Sequence, residues 1–422
     1  MNAKPHGQCS CPASEQPVRA GNVNRPEQTC VISTHFKHIR NAADMAPLED
    51  NSVDLVVTSP PYPMIKMWDD CFIRQDKAVF EALGRRDGWA AFDRMHRLLD
   101  RVWDEVCRVV KPGRFVCINI GDAVRKIGDE FSLFTNHARI ISAMVKRGLT
   151  PLPAILWRKQ TNAPNKFMGS GMLPAGAYVT LEHEYILVFR KGGKRDFETA
   201  AQRQARRESA IFWEERNQWY SDIWYDLKGT RQALSGSRVR NRSGAFPFEL
   251  PYRLISMYSV TGDTVLDPFS GIGTTALAAM AAGRSSVCFE IEPDFAGIIP
   301  DEAGGREGVI GFSNRLIQSR IDRHVSFTAE RIQSGKPMKY INRHYGVPVV
   351  TRQETDLFFS PIAAVRPVAE NGIEVTYADR PLEENGAGVP AYEEKDAVPG
   401  KGGPAGLRSY AEGGWRNLKL FE

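Results

Sequence analysis

Two rhythms of apolar residues run through the chain. Short unbroken runs read as strands buried on both faces: Val53-Asp54-Leu55-Val56-Val57, Phe115-Val116-Cys117-Ile118-Asn119-Ile120, Tyr185-Ile186-Leu187-Val188-Phe189, Val265-Leu266-Asp267 and Ser286-Val287-Cys288-Phe289-Glu290. Helical spacing takes over between them. From Trp89 to Val110, Phe92, Met95, Leu98, Leu99, Val102 and Val106 recur on one face. Residues 128–149 predict a second amphipathic helix, and residues 246–258 a third, entered through Phe246-Pro247. An alanine-rich helix opens at Thr274 and stops at Gly283. Val31 to Arg40 reads as an edge strand, and Ala154–Trp157 with Tyr185–Phe189 as an antiparallel pair. Strands alternating with helices predict an α/β fold. Residues 63–88 read as a connection, either loop-like over a site or helical and packed through Met64, Met67 and Trp68. Residues 1–28 and the stretch from about 379 to 404 are polar, without periodicity, and read as disordered.

Two strand ends carry the candidate chemistry. The first strand runs into Thr58-Ser59-Pro60-Pro61-Tyr62. Two prolines cannot extend a ladder, so the chain leaves the sheet at Ser59 in a stiff turn. A serine oxygen, a backbone carbonyl and an aromatic face placed together suit an exocyclic amino group on a planar base. The second strand ends in Asp267-Pro268-Phe269-Ser270-Gly271-Ile272-Gly273-Thr274-Thr275. Its glycines let a ligand approach the backbone, and the helix that follows offers free N–H groups. With no lysine after the glycine it is not a phosphate-binding P-loop. Glu290, at the end of the next strand, is placed to accept hydrogen bonds from ribose hydroxyls.

Ser59-Pro60-Pro61-Tyr62, followed far downstream by Asp267 to Thr275, resembles the S-adenosyl-L-methionine (SAM)-dependent DNA amino-methyltransferases, which methylate N4 of cytosine or N6 of adenine. The catalytic motif precedes the cofactor motif, as in the circularly permuted β group. Weaker matches fall in order: Asn51 to Val57, Arg108 to Gly113, Trp157-Arg158-Lys159, Glu184-Tyr185-Ile186, and Phe246-Pro247 with Glu249-Leu250. The resemblance covers residues 38–296. It implies a Rossmann-like fold whose mostly parallel sheet has seven strands, one of them antiparallel. It also implies a catalytic half over 29–190, a target-recognition insertion over 191–245 and a SAM-binding half over 246–300. Beyond 300 the resemblance fades, and the chain reads as an accessory region over 301–378 and, from its polar composition, a mostly disordered tail over 379–422. Ser59, Pro60, Pro61 and Tyr62 are the expected catalytic residues. Asp44, Phe246, Asp267, Pro268, Phe269, Gly271, Gly273, Thr274, Thr275 and Glu290 are the expected SAM contacts. Ser before Pro-Pro-Tyr is the family's usual mark of N4-cytosine specificity; N6-adenine transfer is the alternative.

Charge adds one feature. The chain carries only +5 overall, yet residues 191–245 hold twelve Lys and Arg against seven Asp and Glu, an excess equal to that of the whole chain. Phe212, Trp213, Trp219, Tyr220, Trp224 and Tyr225 interleave with these charges. Such an insertion is expected either to touch duplex DNA, with Arg206, Arg207, Arg231, Arg238, Arg240 and Arg242 on the backbone, or to be a solvated helical excursion with an aromatic mini-core. Arg158 and Lys159 stand at a strand end, against phosphate or in solvent. No apolar run is long enough to cross a membrane. Seven scattered cysteines suggest reduced thiols and a cytoplasmic setting. Without a Pro-Cys dipeptide the chain lacks the nucleophile of cytosine-C5 enzymes, so transfer goes directly to nitrogen and no metal is required. A cognate restriction endonuclease and a homodimer are the expected further partners. A silent DNA-binding subunit, or an RNA or protein-glutamine methyltransferase, is the competing reading; the last two usually place the glycine motif first.

Overall fold

The computed structural model describes residues 31–159, 168–169, 173–227, 246–298, 305–369 and 372–382. The chain lays down β1 (Ile32–Ile39), β2 (Val53–Thr58), α1 (Asp69–Gln75), α2 (Lys77–Gly84), α3 (Gly88–Val109) and β3 (Val110–Ile120). Next come β4 (Ala123–Ile127), β5 (Glu130–Phe134), α4 (Asn136–Lys146), β6 (Leu149–Arg158), the short ladder β7 (Met168–Gly169) with β8 (Ala177–Tyr178), and β9 (His183–Lys191). Then follow α5 (Ala200–Glu208), α6 (Trp213–Trp219), β10 (Ile223–Trp224), α7 (Glu249–Tyr258), β11 (Thr264–Asp267), α8 (Thr274–Ala281) and β12 (Ser285–Glu290). The chain continues through α9 (Gly305–Gln333), the ladder β13 (Tyr340–Ile341) with β14 (Pro348–Val349), and the hairpin β15 (Ile362–Ala369) with β16 (Gly372–Tyr377).

One sheet orders its strands β10-β6-β9-β3-β2-β11-β12-β1-β16-β15. Its middle seven, β6 to β1, are the expected set: β9 alone runs antiparallel to both neighbours, and β3, β2, β11, β12 and β1 are mutually parallel. Three strands extend this sheet beyond the expectation. β10 adds to one edge, and the β15–β16 hairpin adds to the other. β1 is therefore an inner strand rather than an edge, paired to β12 and to β16. All six residues of β2 are buried. Its Leu55 and Val57 join the core built with α7, α8 and α9, while Val53 and Val56 join the core built with α3 and α4. Burial on both faces explains the unbroken apolar runs.

One local expectation gives way, and one open alternative closes. Residues 128–134 belong to the β4–β5 hairpin, and the helix begins only at Asn136. Gly128, at φ 61°, makes the tight turn that a helix over this stretch would not contain. Residues 63–88 are helical, a short 3-10 turn and then α1 and α2.

The aromatic insertion turns inward. Phe212, Trp219 and Trp224 are buried, so they build core instead of facing DNA; Tyr220 and Tyr225 stay exposed. Arg320 of α9 forms a bidentate ion pair with Glu215 of α6, at 2.7 and 2.5 Å, and donates to the Tyr252 hydroxyl of α7 at 2.8 Å. Its guanidinium also lies 4.0 Å from the Phe359 ring centroid. Residues after 300 are thus fastened to the sheet and to the insertion. Among the described residues no helix is long and apolar enough to cross a membrane.

Candidate active site

Parallel strands of an open sheet present their carboxyl ends along one edge, and that edge is where ligands bind. Here it gathers Ser59 after β2, Asp267 at the end of β11, Glu290 at the end of β12 and Gly121 after β3. Because β9 runs the other way, its first residues arrive at the same edge: Tyr185 pairs with Ile120. β6 reverses again, which brings Lys159 there too. A cavity of about 430 Å³ opens along this edge.

Both sequence motifs line that one cavity. Ser59, Pro60, Pro61 and Tyr62 form one wall. Asp267, Pro268, Phe269, Gly271, Thr274 and Glu290 form another, with Phe246 between them. Gly273 and Thr275 stand behind the wall. Gly273 takes φ 97° to turn the chain into α8, and Thr275 is buried. Asp44 is not among the lining residues. It is an exposed carboxylate that pairs with Arg40 and accepts from the Ala46 amide, while its neighbours Arg40, Asn41 and Ala42 line the cavity. α1 lines the same cavity, contributing Asp70, Phe72 and Gln75, and its Arg74 pairs with Glu292.

Asp267 couples the two motifs. Its carboxylate accepts from Thr58 Oγ1 at 2.6 Å, from Thr275 Oγ1 at 2.6 Å and from the Phe269 amide at 3.1 Å. One side chain thus fixes the residue before Ser59 and the first turn of α8. Burial pushes the Asp267 carboxyl up, against the pull of the two threonine hydroxyls. Lys37 of β1 holds the loop from behind, donating to the Gly271 carbonyl at 2.6 Å and the Gly297 carbonyl at 2.9 Å. Burial lowers its ammonium pKa, opposed by Cys288, Glu290 and Asp267. A lone lysine in a strand of mixed polar and apolar residues gave no signal for this role.

The cofactor half has the marks of a ligand cradle. Gly271 takes φ 50°, and a Cβ built there would meet no atom within 4 Å. Ser270 Oγ is buried without a hydrogen-bond partner among the described residues, a state that costs about 1–3 kcal/mol if left unsatisfied. Glu290 Oε2 accepts from the Gly271 amide at 2.8 Å and Oε1 from the Glu292 amide at 2.9 Å, so the carboxylate is held in place with lone pairs to spare. These groups fit a ribose diol and the polar end of an amino-acid-bearing nucleoside. Replacing Glu290 by Ala is expected to raise the SAM dissociation constant about 10- to 100-fold, by the loss of a charge-assisted hydrogen bond. Isothermal calorimetry reads this directly, and an unaltered constant would remove Glu290 from the site.

The Ser59 side of the cavity contains residues the motif alone did not reveal. Tyr62 Oη donates to Glu184 Oε2 at 2.9 Å and accepts from Asn119 Nδ2 at 2.8 Å. Asn119 Nδ2 also donates to Glu184 Oε2 at 2.8 Å, and Lys159 Nζ pairs with Glu184 Oε1 at 2.9 Å. Lys159 thus serves the cavity wall, while Arg158 pairs with Glu182 at 3.3 Å. Burial, and then the Glu184 carboxylate, push the Tyr62 phenol well above its ordinary pKa. Gly121 makes this packing possible: a Cβ there would lie 3.0 Å from Tyr62 Cε2.

The expected DNA contacts lie elsewhere. Arg206 and Arg207 are exposed on α5, outside the cavity wall; Arg206 lies over the Phe197 ring and Arg207 pairs with Asp356 at 3.1 Å. Arg231, Arg238, Arg240 and Arg242 fall outside the described residues.

Fold and cavity together place both sequence motifs in one space at the carboxyl edge of a Rossmann-like sheet. A DNA methylase family profile of the N6 and N4 class matches residues 53–300, and the chain belongs to this family. S-adenosyl-L-methionine is the methyl donor of its members. The chain is 48% identical to the Type II methyltransferase M.MthZI of Methanothermobacter thermautotrophicus over 82% of this chain and 96% of that one. It is 46% identical to the Type II methyltransferase M.MjaI of Methanocaldococcus jannaschii, over 66% and 95%. The 348 residues aligned with M.MthZI exceed the stretch 38–296, so the likeness takes in chain beyond the two motifs. A solved Thermus thermophilus chain assigned as a DNA modification methylase, in complex with S-adenosyl-L-methionine, is similar at 31% identity. That match covers 63% of this chain and 90% of the other, with a TM-score of 0.49.

Proposed function

We propose that this protein transfers a methyl group to the exocyclic N4 of cytosine in duplex DNA, as the modification enzyme of a restriction–modification pair. The observation that carries the reading is the one cavity lined by both the Ser59 turn and the Gly271 turn, with Asp267 hydrogen-bonded to Thr58 just before the first and to Thr275 just after the second. The Type II names of both archaeal relatives support the restriction–modification setting and an endonuclease partner.

SAM supplies an electrophilic methyl group on a sulfonium when bound. Glu290 takes the ribose hydroxyls, Phe246 packs beside the cofactor, and the start of α8 with Ser270 receives its polar end. The target base leaves the duplex, since its amino group is otherwise occupied in pairing. Tyr62 offers its ring face to the base. Ser59 Oγ and the Pro60 carbonyl accept the two amino hydrogens, which draws the nitrogen lone pair out of conjugation and toward the donor. As the nitrogen takes the methyl the carbon–sulfur bond breaks to leave a neutral thioether, and the cationic nitrogen then gives one of its two protons to solvent. This is catalysis by positioning and electrostatics, without a covalent enzyme intermediate. Serine at the head of Pro-Pro-Tyr favours cytosine over adenine in this family.

Incubation with methyl-labelled SAM and unmethylated duplex DNA tests the proposal. Acid-stable label in the DNA is expected. No transfer despite measurable SAM binding would overturn it in favour of a silent DNA-binding subunit.

A further inference from the structure

We propose that Glu184 is a positioning residue that sets the direction of the Ser59 proton, and thereby restricts the pocket to bases carrying an amino group. The inference rests on the reading of Ser59 as the acceptor for that amine. It follows from counting protons around one phenol. Tyr62 Oη has one hydrogen to give and can accept two. Three groups surround it: Glu184 Oε2 at 2.9 Å, Asn119 Nδ2 at 2.8 Å and Ser59 Oγ at 3.1 Å. A carboxylate only accepts, so the Tyr62 hydrogen goes to Glu184. The Asn119 amide can face the same carboxylate oxygen at 2.8 Å only through its NH2, so Asn119 donates to Tyr62 as well. One lone pair of Tyr62 remains, and Ser59 must fill it as the donor.

Ser59 has only one hydrogen, and it is now spent on Tyr62. Toward the cavity the serine presents lone pairs alone. It accepts from an amine and has nothing to donate to a keto oxygen, so the pocket rejects thymine, which has no exocyclic amine, and the keto edge of guanine, before any methyl is moved. Lys159 reinforces the arrangement by holding Glu184 Oε1 at 2.9 Å, which leaves Oε2 for Tyr62 and Asn119. Gly121 keeps the phenol close enough for the set to form, with space for no Cβ beneath the ring. Strand direction explains why residues 122 positions apart meet: β9 starts at the edge where β2 ends.

Glu184→Gln changes this logic with little change of shape. With its NH2 toward Tyr62 it forces the Tyr62 hydrogen onto Ser59 and frees the serine hydrogen to point at the substrate amine. With its oxygen toward Tyr62 it sets its NH2 against the Lys159 ammonium. The experiment measures single-turnover methyl transfer to saturating unmethylated genomic DNA for Ser59→Ala, Glu184→Gln, Tyr62→Phe and the Glu184→Gln/Tyr62→Phe pair, with SAM affinity by calorimetry. Glu184→Gln is expected to slow transfer about 100-fold with SAM affinity unchanged. Tyr62→Phe keeps the ring but releases the serine rotor, and is expected to slow transfer about 10-fold. In the Tyr62→Phe background, Glu184→Gln is expected to change the rate by less than about 2-fold, because the link it acts through is gone.

An unchanged rate in Glu184→Gln overturns the inference, as does an equal loss in both backgrounds, which would make Glu184 act independently of the phenol. An unchanged rate in Tyr62→Phe overturns it even if Glu184→Gln fails to fold. Full activity in Ser59→Ala would refute the acceptor reading itself. Slow transfer in Ser59→Ala with normal transfer in Glu184→Gln refutes only the role of Glu184.

Discussion

Ser59→Ala is expected to lower the rate of methyl transfer by a factor on the order of 10²–10³ while leaving the SAM dissociation constant within about 2-fold of the parent. In the proposed arrangement the loss falls on the chemical step, because the hydroxyl is the acceptor for the reacting amine and stands apart from the Glu290 and Ser270 wall. Glu290, Ser270 and the start of α8 are untouched by the change. The comparison that isolates it is single-turnover rate against calorimetric affinity on the same preparation. A parallel loss of both would mean that Ser59 supports the cavity, and an unchanged rate would remove it from the chemistry.

The second large effect concerns the fold. Arg320→Ala is expected to cost about 3–5 kcal/mol, because it leaves Glu215 buried without its counter-charge. Guanidinium unfolding followed by tryptophan fluorescence reads the loss, with Trp219 in the same cluster as reporter. An effect below about 1 kcal/mol, the range of an exposed pair, would show that α9 is not fastened to the insertion as described. The pair joins α6 to α9 and α7, so its loss should loosen residues 305–369 together with the insertion.

That cluster also marks the limit of what the sequence made legible. Strands whose both faces are covered announce themselves as unbroken apolar runs, which is why the centres of β2, β3, β9, β11 and β12 are readable. Their ends are less so: β3 begins at Val110, where the pattern predicts the end of a helix and a turn, and β9 extends two residues past its apolar run at each end. Proline and glycine then fixed where the chain leaves the sheet, so the Ser59 and Gly271 turns were both visible. The insertion was harder. Phe212, Trp219 and Trp224 alternate with charges whether they face DNA or a local core, and only tertiary packing decides. Arg320, more than a hundred residues downstream, is part of that decision.

The same separation hid the partners of Tyr62. Asn119 reads as one polar residue inside an apolar strand, and Glu184 as a strand-leading carboxylate. Their meeting depends on β9 running antiparallel to β3, which local pattern does not state. Lys37 is the opposite case. Its ammonium supports the Gly271 loop from the interior of β1, where alternation alone would have put a solvated lysine on an edge. β1 becomes interior only because residues 372–377 return to cover it.

Nucleoside mass spectrometry of duplex DNA methylated by the purified protein tests the central claim most directly. N4-methylcytosine is the predicted product. N6-methyladenine as the sole product would contradict the assignment of the base while leaving the cavity, the cofactor and the amine chemistry in place; C5-methylcytosine would contradict the account as a whole.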